Sequence, residues 1–108
     1  MTEKKPPRAE LSGADRAYLR GKAHALRPIV LVGIAGVTAA VLAAVDEALR
    51  DHELIKVKLR LTDRSQRSAG IDALCAATAA QCAGRVGNIA ILFRRNPDRP
   101  VITLPHGA

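Results

Sequence analysis

The chain has 108 residues, of which 48% are hydrophobic, so it can form one globular domain around a single core. Its 17 lysines and arginines outnumber 10 aspartates and glutamates, and the resulting net charge of +7 favours a polyanionic partner such as nucleic acid. The two cysteines do not form a zinc-type pair and no apolar run is long enough to span a membrane, which argues against a zinc module and a membrane protein.

The two ends of the chain differ in composition from its centre. Residues 1–10 carry three basic residues and two prolines, which predicts a disordered basic tail. This segment lacks the apolar stretch of a secretory signal, so a cytoplasmic protein is expected. We expect the folded domain over residues 11–104, followed by a short tail at 105–108.

The first predicted elements are a helix and a strand. Ser12 fits the N-cap of a helix over residues 13–24. The residues expected on its buried side are Tyr18, Leu19 and Ala23. Residues 28–32, PIVLV, are rich in β-branched side chains and predict a buried strand in a partly parallel sheet.

A second helix and a second strand follow. Thr38 is a candidate cap for the helix, and the helical stripe expected to be buried is Val41, Leu42, Val45, Ala48 and Leu49. The strand HELIKVKLRLTD alternates strictly. Its apolar face is Ile55, Val57, Leu59 and Leu61. Its opposite face carries three cations, Lys56, Lys58 and Arg60.

The last third of the chain predicts a helix over residues 65–81. Cys75 and Cys82 are seven apart, so both are expected on one side of this helix as buried free thiols. A brief strand is expected around residues 85–86 and a clear one in NIAILFRR, before the turn NPDRP and a final extended piece, VITLP. This element order indicates an α/β two-layer sandwich with the helices mainly on one face of the sheet.

The stretch Gly33-Ile34-Ala35-Gly36 lies between the first strand and the second helix. A tight turn alone could explain the two glycines. The stretch matches neither a dinucleotide-binding fingerprint, since Ala39 replaces the third glycine, nor a P-loop. What remains is a GxxG loop opening a helix whose free N–H groups attract anions, as in KH-type binders of single-stranded RNA.

Basic residues predict a focused positive surface around this loop. Besides the three cations of the second strand, its candidate members are Arg20, Lys22, Arg27 and Arg94. A solvated strand face is the structural alternative for the strand cations. His24 fits a structural position at a helix end. We find no catalytic pair, metal set or cofactor motif, so we expect no enzyme activity, no cofactor and no small-molecule substrate.

Three motifs occur together in order: LRGKAHALRPIVLVGIAGVT, HELIKVKLR and GNIAILFRR. They strongly resemble the CRM domain, the RNA-binding module of chloroplast RNA-splicing factors and small bacterial YhbY-like proteins. The match covers roughly residues 11–104.

The resemblance implies a four-stranded mixed sheet, similar to the C-terminal domain of translation initiation factor 3. It implies that the loop of Gly33, Ile34, Ala35 and Gly36 contacts RNA. The residues that occupy motif positions as expected RNA-surface or loop-supporting residues are Lys22, His24, Lys56, Lys58 and Arg94. Family members often have a polar residue where this chain has Ala35, which affects base-specific contacts more than phosphate binding.

The function expected from these observations is binding of ribosomal RNA and association with precursors of the large (50S) ribosomal subunit, by electrostatic docking and a GxxG backbone clamp without catalysis. The stand-alone bacterial members that the chain resembles are associated with such precursors. With only 2% aromatic residues, an aromatic stacking surface is not expected. A monomer is expected. The alternatives are a protein-interaction adaptor and a general RNA-binding protein acting on a non-ribosomal RNA.

Overall fold

The computed structural model describes residues 10–61 and 63–105. The elements in this part of the chain are α1 (Gly13–Ala23), β1 (Pro28–Val32), α2 (Ala39–His52), β2 (Leu54–Leu59), α3 (Arg64–Thr78), β3 (Gln81–Val86) and β4 (Ile89–Phe93). Apart from Glu10, the tail expected at residues 1–10 lies outside the described residues, as do residues 106–108 of the C-terminal tail.

The four strands form one mixed sheet in the order β1-β2-β4-β3. Strand β1 runs parallel to β2, and β4 is antiparallel to both β2 and β3. The parallel pair is joined through α2, as a strand–helix–strand crossover requires. The expected mixed α/β sheet is therefore confirmed.

Two of the three helices cover one face of the sheet. The core on this face includes Val45 and Leu49 of α2, Ile71 and Leu74 of α3, and the predicted apolar face of β2. Helix α1 packs on part of the opposite face, where Leu19 and Ala23 meet Leu54, Ile91 and Phe93. The alternation along β2 therefore separates two cores, because successive side chains of a strand point to opposite faces.

Side-chain caps fix where α1 and α2 begin. The Ser12 hydroxyl accepts a hydrogen bond from the Asp15 N–H at 3.0 Å, and the Asp15 carboxylate accepts one from the Ser12 N–H at 3.1 Å. The Thr38 hydroxyl accepts a hydrogen bond from the Val41 N–H at 3.2 Å. These three bonds satisfy amides at the starts of the two helices that have no helical partner, so both predicted caps are confirmed.

Two predictions of burial are wrong. Strand β1 lies at the edge of the sheet, and Ile29 and Leu31 are about half exposed, because only one neighbour covers the strand. Tyr18 lies on the outer side of α1, where the Lys22 ammonium is 5.7 Å from the centre of its ring. An apolar run predicted the strand correctly but could not show that it is an edge strand.

The predicted end of the third helix is also wrong. Helix α3 ends at Thr78, Ala79 adopts a left-handed conformation (φ 60°), and β3 begins at Gln81. Cys82 therefore lies on a strand, not on the helical face that carries Cys75, and both half-buried cysteines are outside any disulfide. The strand expected near residues 85–86 is the end of this longer β3.

The segment after β4 follows the protein surface and is held by Glu53. The VITLP piece has no regular secondary structure. The buried Glu53 carboxylate accepts hydrogen bonds from the N–H groups of Asn96, Val101 and Ile102 at 2.6–2.8 Å. Leu104 is buried beside α1. One carboxylate of the HELIKVK motif thus holds the C-terminal segment against the sheet.

Candidate nucleic-acid interface

The GxxG stretch forms a tight turn at the carboxyl end of β1. The Gly36 N–H donates a hydrogen bond to the Gly33 carbonyl at 2.9 Å, which closes the turn. Ile34 and Ala35 form its exposed tip, and the Ile34 side chain is 91% exposed. Within residues 10–61 and 63–105, the N–H groups of Ile34 and Ala35 have no hydrogen-bond partner. Two backbone donors at the tip are therefore available to an anion.

The fold explains why one position of this turn is glycine but does not explain the other. Gly36 has φ +81°, a left-handed conformation that glycine adopts without strain. Gly33 is outside that conformational region, and a Cβ placed on it would meet no described atom within 4 Å. Neither packing nor backbone conformation thus requires glycine at position 33. The missing side chain leaves space for an external group to approach the backbone.

Arg60 and the beginnings of two helices lie at the same end of the sheet. The Arg60 N–H donates a hydrogen bond to the Val32 carbonyl at 2.8 Å, which places Arg60 next to the residue preceding Gly33. Helix α2 begins just after the turn. Helix α3 begins at Arg64, and its Gly70 packs near Val37 at the start of the α2 segment. Helix N-termini carry partial positive charge, so this end of the molecule favours anions.

Two basic residues at this end of the sheet were not predicted as site residues from the sequence. Arg64 is the first residue of α3 and is exposed, and Arg67 lies one turn later with its guanidinium donating to the Leu61 carbonyl at 2.8 Å. Their spacing of three places both on one helical face. That spacing, directly after a basic strand, is the signal that could have identified them.

Lys56 and Lys58 lie on the face of the sheet that α1 partly covers. Both are half-buried, so this face is not the fully solvated one expected from the alternation. The Lys56 ammonium donates a hydrogen bond to the Leu26 carbonyl at 3.0 Å. Strand β2 ends at Leu59, which leaves Arg60 just beyond it. The predicted row of cations thus extends from beside α1 to the GxxG turn.

The structure divides the remaining predicted cations between two places. Arg20 lies on α1, packs over Gly84 and donates to the Ala83 carbonyl at 3.2 Å. Lys22 and Arg27 line a cleft of about 390 Å³ near the beginning of β1, and His24 caps the end of α1 beside them. Since Arg27 precedes β1 and Gly33 follows it, the cleft and the turn lie at opposite ends of that strand.

Arg94 is not brought together with the other predicted cations. Its guanidinium lies against α2 and the end of α3, where it donates to the Asp46 carboxylate at 2.6 Å and to the Thr78 carbonyl at 2.9 Å. The hydrogen bond from Arg94 and the positive charges of Arg94 and Arg50 hold the pKa of the Asp46 carboxyl below its ordinary value of 3.8. An arginine whose donors are bound inside the protein supports the fold, and we leave it out of the candidate interface.

The described part of the chain holds neither a metal-binding cluster nor a membrane-spanning helix. Residues 10–61 and 63–105 contain no group of three or more His, Cys, Asp or Glu side chains that could hold a metal ion. None of the helices found there combines the length and apolar character needed to cross a lipid bilayer.

Comparisons with known proteins agree with this architecture. The solution structure of a hypothetical protein from Staphylococcus aureus superimposes with a TM-score of 0.79 at 27% identity, covering 89% of this chain and all of that one. A probable RNA-binding protein of Pseudomonas aeruginosa is 39% identical over 87 residues, which are 81% of this chain and 84% of that protein. An RNA-binding protein of Haemophilus influenzae is 37% identical over 91 residues, or 84% of this chain and 92% of that protein.

The family model of the CRS1 / YhbY (CRM) domain matches residues 11–94. This range begins just before α1 and ends just after β4, so it contains the whole sheet, the three helices and the GxxG turn. The chain belongs to the CRS1 / YhbY (CRM) domain family.

Proposed function

We propose that this protein binds RNA, with the GxxG turn holding the sugar–phosphate backbone. The observation that carries the proposal is the open space at Gly33, where the fold itself does not require glycine. Relatives that are 37–39% identical over most of their length are named as RNA-binding proteins, which supports the same activity here.

The proposed interaction is electrostatic and uses the backbone. A phosphate at the tip of the turn accepts hydrogen bonds from the Ile34 and Ala35 N–H groups, and the N-terminus of α2 lies directly behind it. Arg60 and Arg64 supply full positive charges at the same end of the sheet. Phosphate contacts of this kind give affinity without reading sequence.

The RNA we propose is ribosomal RNA in precursors of the large subunit, bound in the cytoplasm by a monomer. Support comes from family membership and from the association of similar stand-alone bacterial proteins with such precursors. The basic, aromatic-poor composition suits an RNA that is recognised through its phosphates and its shape.

RNA binding is tested by Gly33→Asp, with Gly13→Asp as the matched control. Both sites are open to a new side chain and both changes add one negative charge, but Gly13 begins α1. We expect Gly33→Asp to abolish binding in an electrophoretic or fluorescence titration while Gly13→Asp binds as the wild type does. Wild-type affinity in Gly33→Asp would contradict the proposal.

The salt dependence of the same titration tests the electrostatic part. If about five phosphates are neutralised on a single strand, the log–log slope should be near −3.5, from roughly −0.7 per phosphate. A slope near zero would contradict it.

The ribosomal assignment is tested by sedimentation of a cell lysate through a sucrose gradient, with and without RNase. We expect the protein to migrate with large-subunit precursors and to leave them after RNase or high salt. Binding to RNA in vitro with no such migration would favour a non-ribosomal RNA. Migration with a protein complex that resists RNase would favour the adaptor alternative.

A further inference from the structure

An uncovered row of side chains crosses all four strands on the face that carries α1. The strand registers pair Leu31 with Lys58, Lys58 with Ile89, and Ile89 with Val86. Paired residues share a face, so these four side chains stand in one line across the sheet. We call this row the sheet platform.

Helix α1 leaves the sheet platform exposed. It covers the neighbouring part of the same face, where Ile91 and Phe93 are buried and Arg20 lies over Gly84. In contrast, Leu31 is 49% exposed and Val86 is 67% exposed, at the two edges of the sheet, and Lys58 and Ile89 between them are half-buried. A row that reaches the solvent across the whole sheet and ends in exposed apolar side chains indicates a contact surface for another molecule.

The sheet platform is continuous with the GxxG turn. Leu31 lies two residues before Gly33, a distance of roughly 7 Å along an extended strand. The almost fully exposed Ile34 extends the apolar surface onto the tip of the turn. A chain held at the turn by its backbone therefore has aliphatic side chains within reach of the groups that it carries.

The charge of this face indicates which class of molecule binds to the sheet platform. None of the four strands contains an aspartate or a glutamate, and β2 contributes Lys56 and Lys58 to this face. An occupant that combines anionic groups with flat apolar ones fits this combination. A nucleotide does so, because a phosphate is linked to a base with two apolar faces.

We propose that the sheet platform receives unpaired bases of the RNA strand whose phosphates lie at the GxxG turn. This inference rests on the proposed function and adds to it the class of RNA, a single-stranded or locally opened segment. A continuous duplex hides the faces of its bases, so it cannot use the platform. Leu31, Ile89 and Val86 contact bases by dispersion alone, which makes the contact tolerant of sequence.

The experiment compares a short oligouridine with an abasic oligoribonucleotide of the same length, which has the same phosphates but no bases. We expect the wild type to bind oligouridine roughly tenfold more tightly. The double variant Leu31→Ser, Val86→Ser should lose most of this difference and keep the salt slope, because no charge changes. Val101→Ser is the control, since Val101 is also exposed (65%) but lies in the C-terminal segment.

A second double variant, Leu31→Thr with Val86→Thr, places β-branched side chains, which favour strands, at both positions in case the serine variant unfolds. Equal affinity of the wild type for both oligonucleotides would overturn the inference while leaving RNA binding intact. Binding to neither oligonucleotide would overturn the inference and the proposed function together. If both double variants kept the preference for oligouridine over the abasic strand, the inference would also be overturned. If the variants left the precursor particles but bound oligouridine as the wild type does, the platform would contact a protein, and the inference would again be overturned.

Discussion

Glu53 has a fully buried side chain whose carboxylate accepts hydrogen bonds from three backbone N–H groups. Its backbone has φ 65°, a conformation that is strained for any residue other than glycine. The hydrogen bonds to residues 96, 101 and 102 hold the strained residue in place. Because these partners lie 43–49 positions away, no local pattern in the sequence indicates them.

We expect Glu53→Gln to lower the free energy of unfolding by about 2–4 kcal/mol, because one carboxylate oxygen becomes an NH₂ group that faces an N–H donor. Urea unfolding measures this. The control is Glu47→Gln, at an exposed position on α2, which should change the free energy of unfolding by less than about 0.5 kcal/mol. Equal effects of the two substitutions would show that the carboxylate does not hold the C-terminal segment.

Like Glu53, Arg94 lies in a motif and makes its contacts inside the protein with residues distant in the sequence. Its place in the GNIAILFRR motif predicts an RNA-surface or loop-supporting residue, and its guanidinium donates hydrogen bonds to Asp46 and Thr78. A motif records that a residue type is needed at a position. It does not distinguish a side chain that binds a ligand from one that joins two helices to a strand.

At the scale of elements, the fold requires glycine at one position of the GxxG turn and not at the other. We expect Gly36→Ala to destabilise the protein by about 1–2 kcal/mol, because Gly36 has φ +81°. Gly33→Ala should leave the free energy of unfolding unchanged or raise it by up to about 1 kcal/mol, since the site is open and the unfolded chain loses freedom. Thermal and urea unfolding measure both.

Gly21→Ala within α1 provides the control for the general effect of adding a methyl group, because its position is also open. If Gly33→Ala destabilised the protein as much as Gly36→Ala, the fold would require glycine at both positions. The main argument for an external ligand at Gly33 would then be lost.

Most elements could be predicted from local patterns, and the errors arose where the pattern was ambiguous. The caps of α1 and α2 and the alternation of β2 depend on neighbouring residues, so the sequence predicts them well. The α3–β3 boundary is different, because TAAQCAG contains no proline and no strong turn residue before Gly84. The left-handed Ala79 ends the helix there, and nothing local in the sequence indicates it.

At the scale of the whole molecule, the net charge of +7 is divided between separate regions. Arg60 and Arg64 lie at the end of the sheet with the GxxG turn, whereas Lys22 and Arg27 lie near the cleft at the beginning of β1. Five residues of strand separate the two ends by roughly 16 Å. The sequence predicted Arg60, Lys22 and Arg27 but not Arg64, and it did not predict this division, because the division depends on the direction in which each strand runs.

Two charge-matched double variants test whether position or total charge determines RNA affinity. Arg60→Gln with Arg64→Gln and Lys22→Gln with Arg27→Gln each remove two positive charges. We expect the first pair to weaken binding by roughly tenfold and to make the log–log salt slope about 1.4 units shallower, since two phosphate contacts are lost. The second pair should change affinity little, because a separation of two Debye lengths, about 8 Å each at physiological ionic strength, screens its charges from the turn. Equal losses in the two variants would show that RNA binds over the whole basic surface, and a larger loss in the second would place the interface at the cleft.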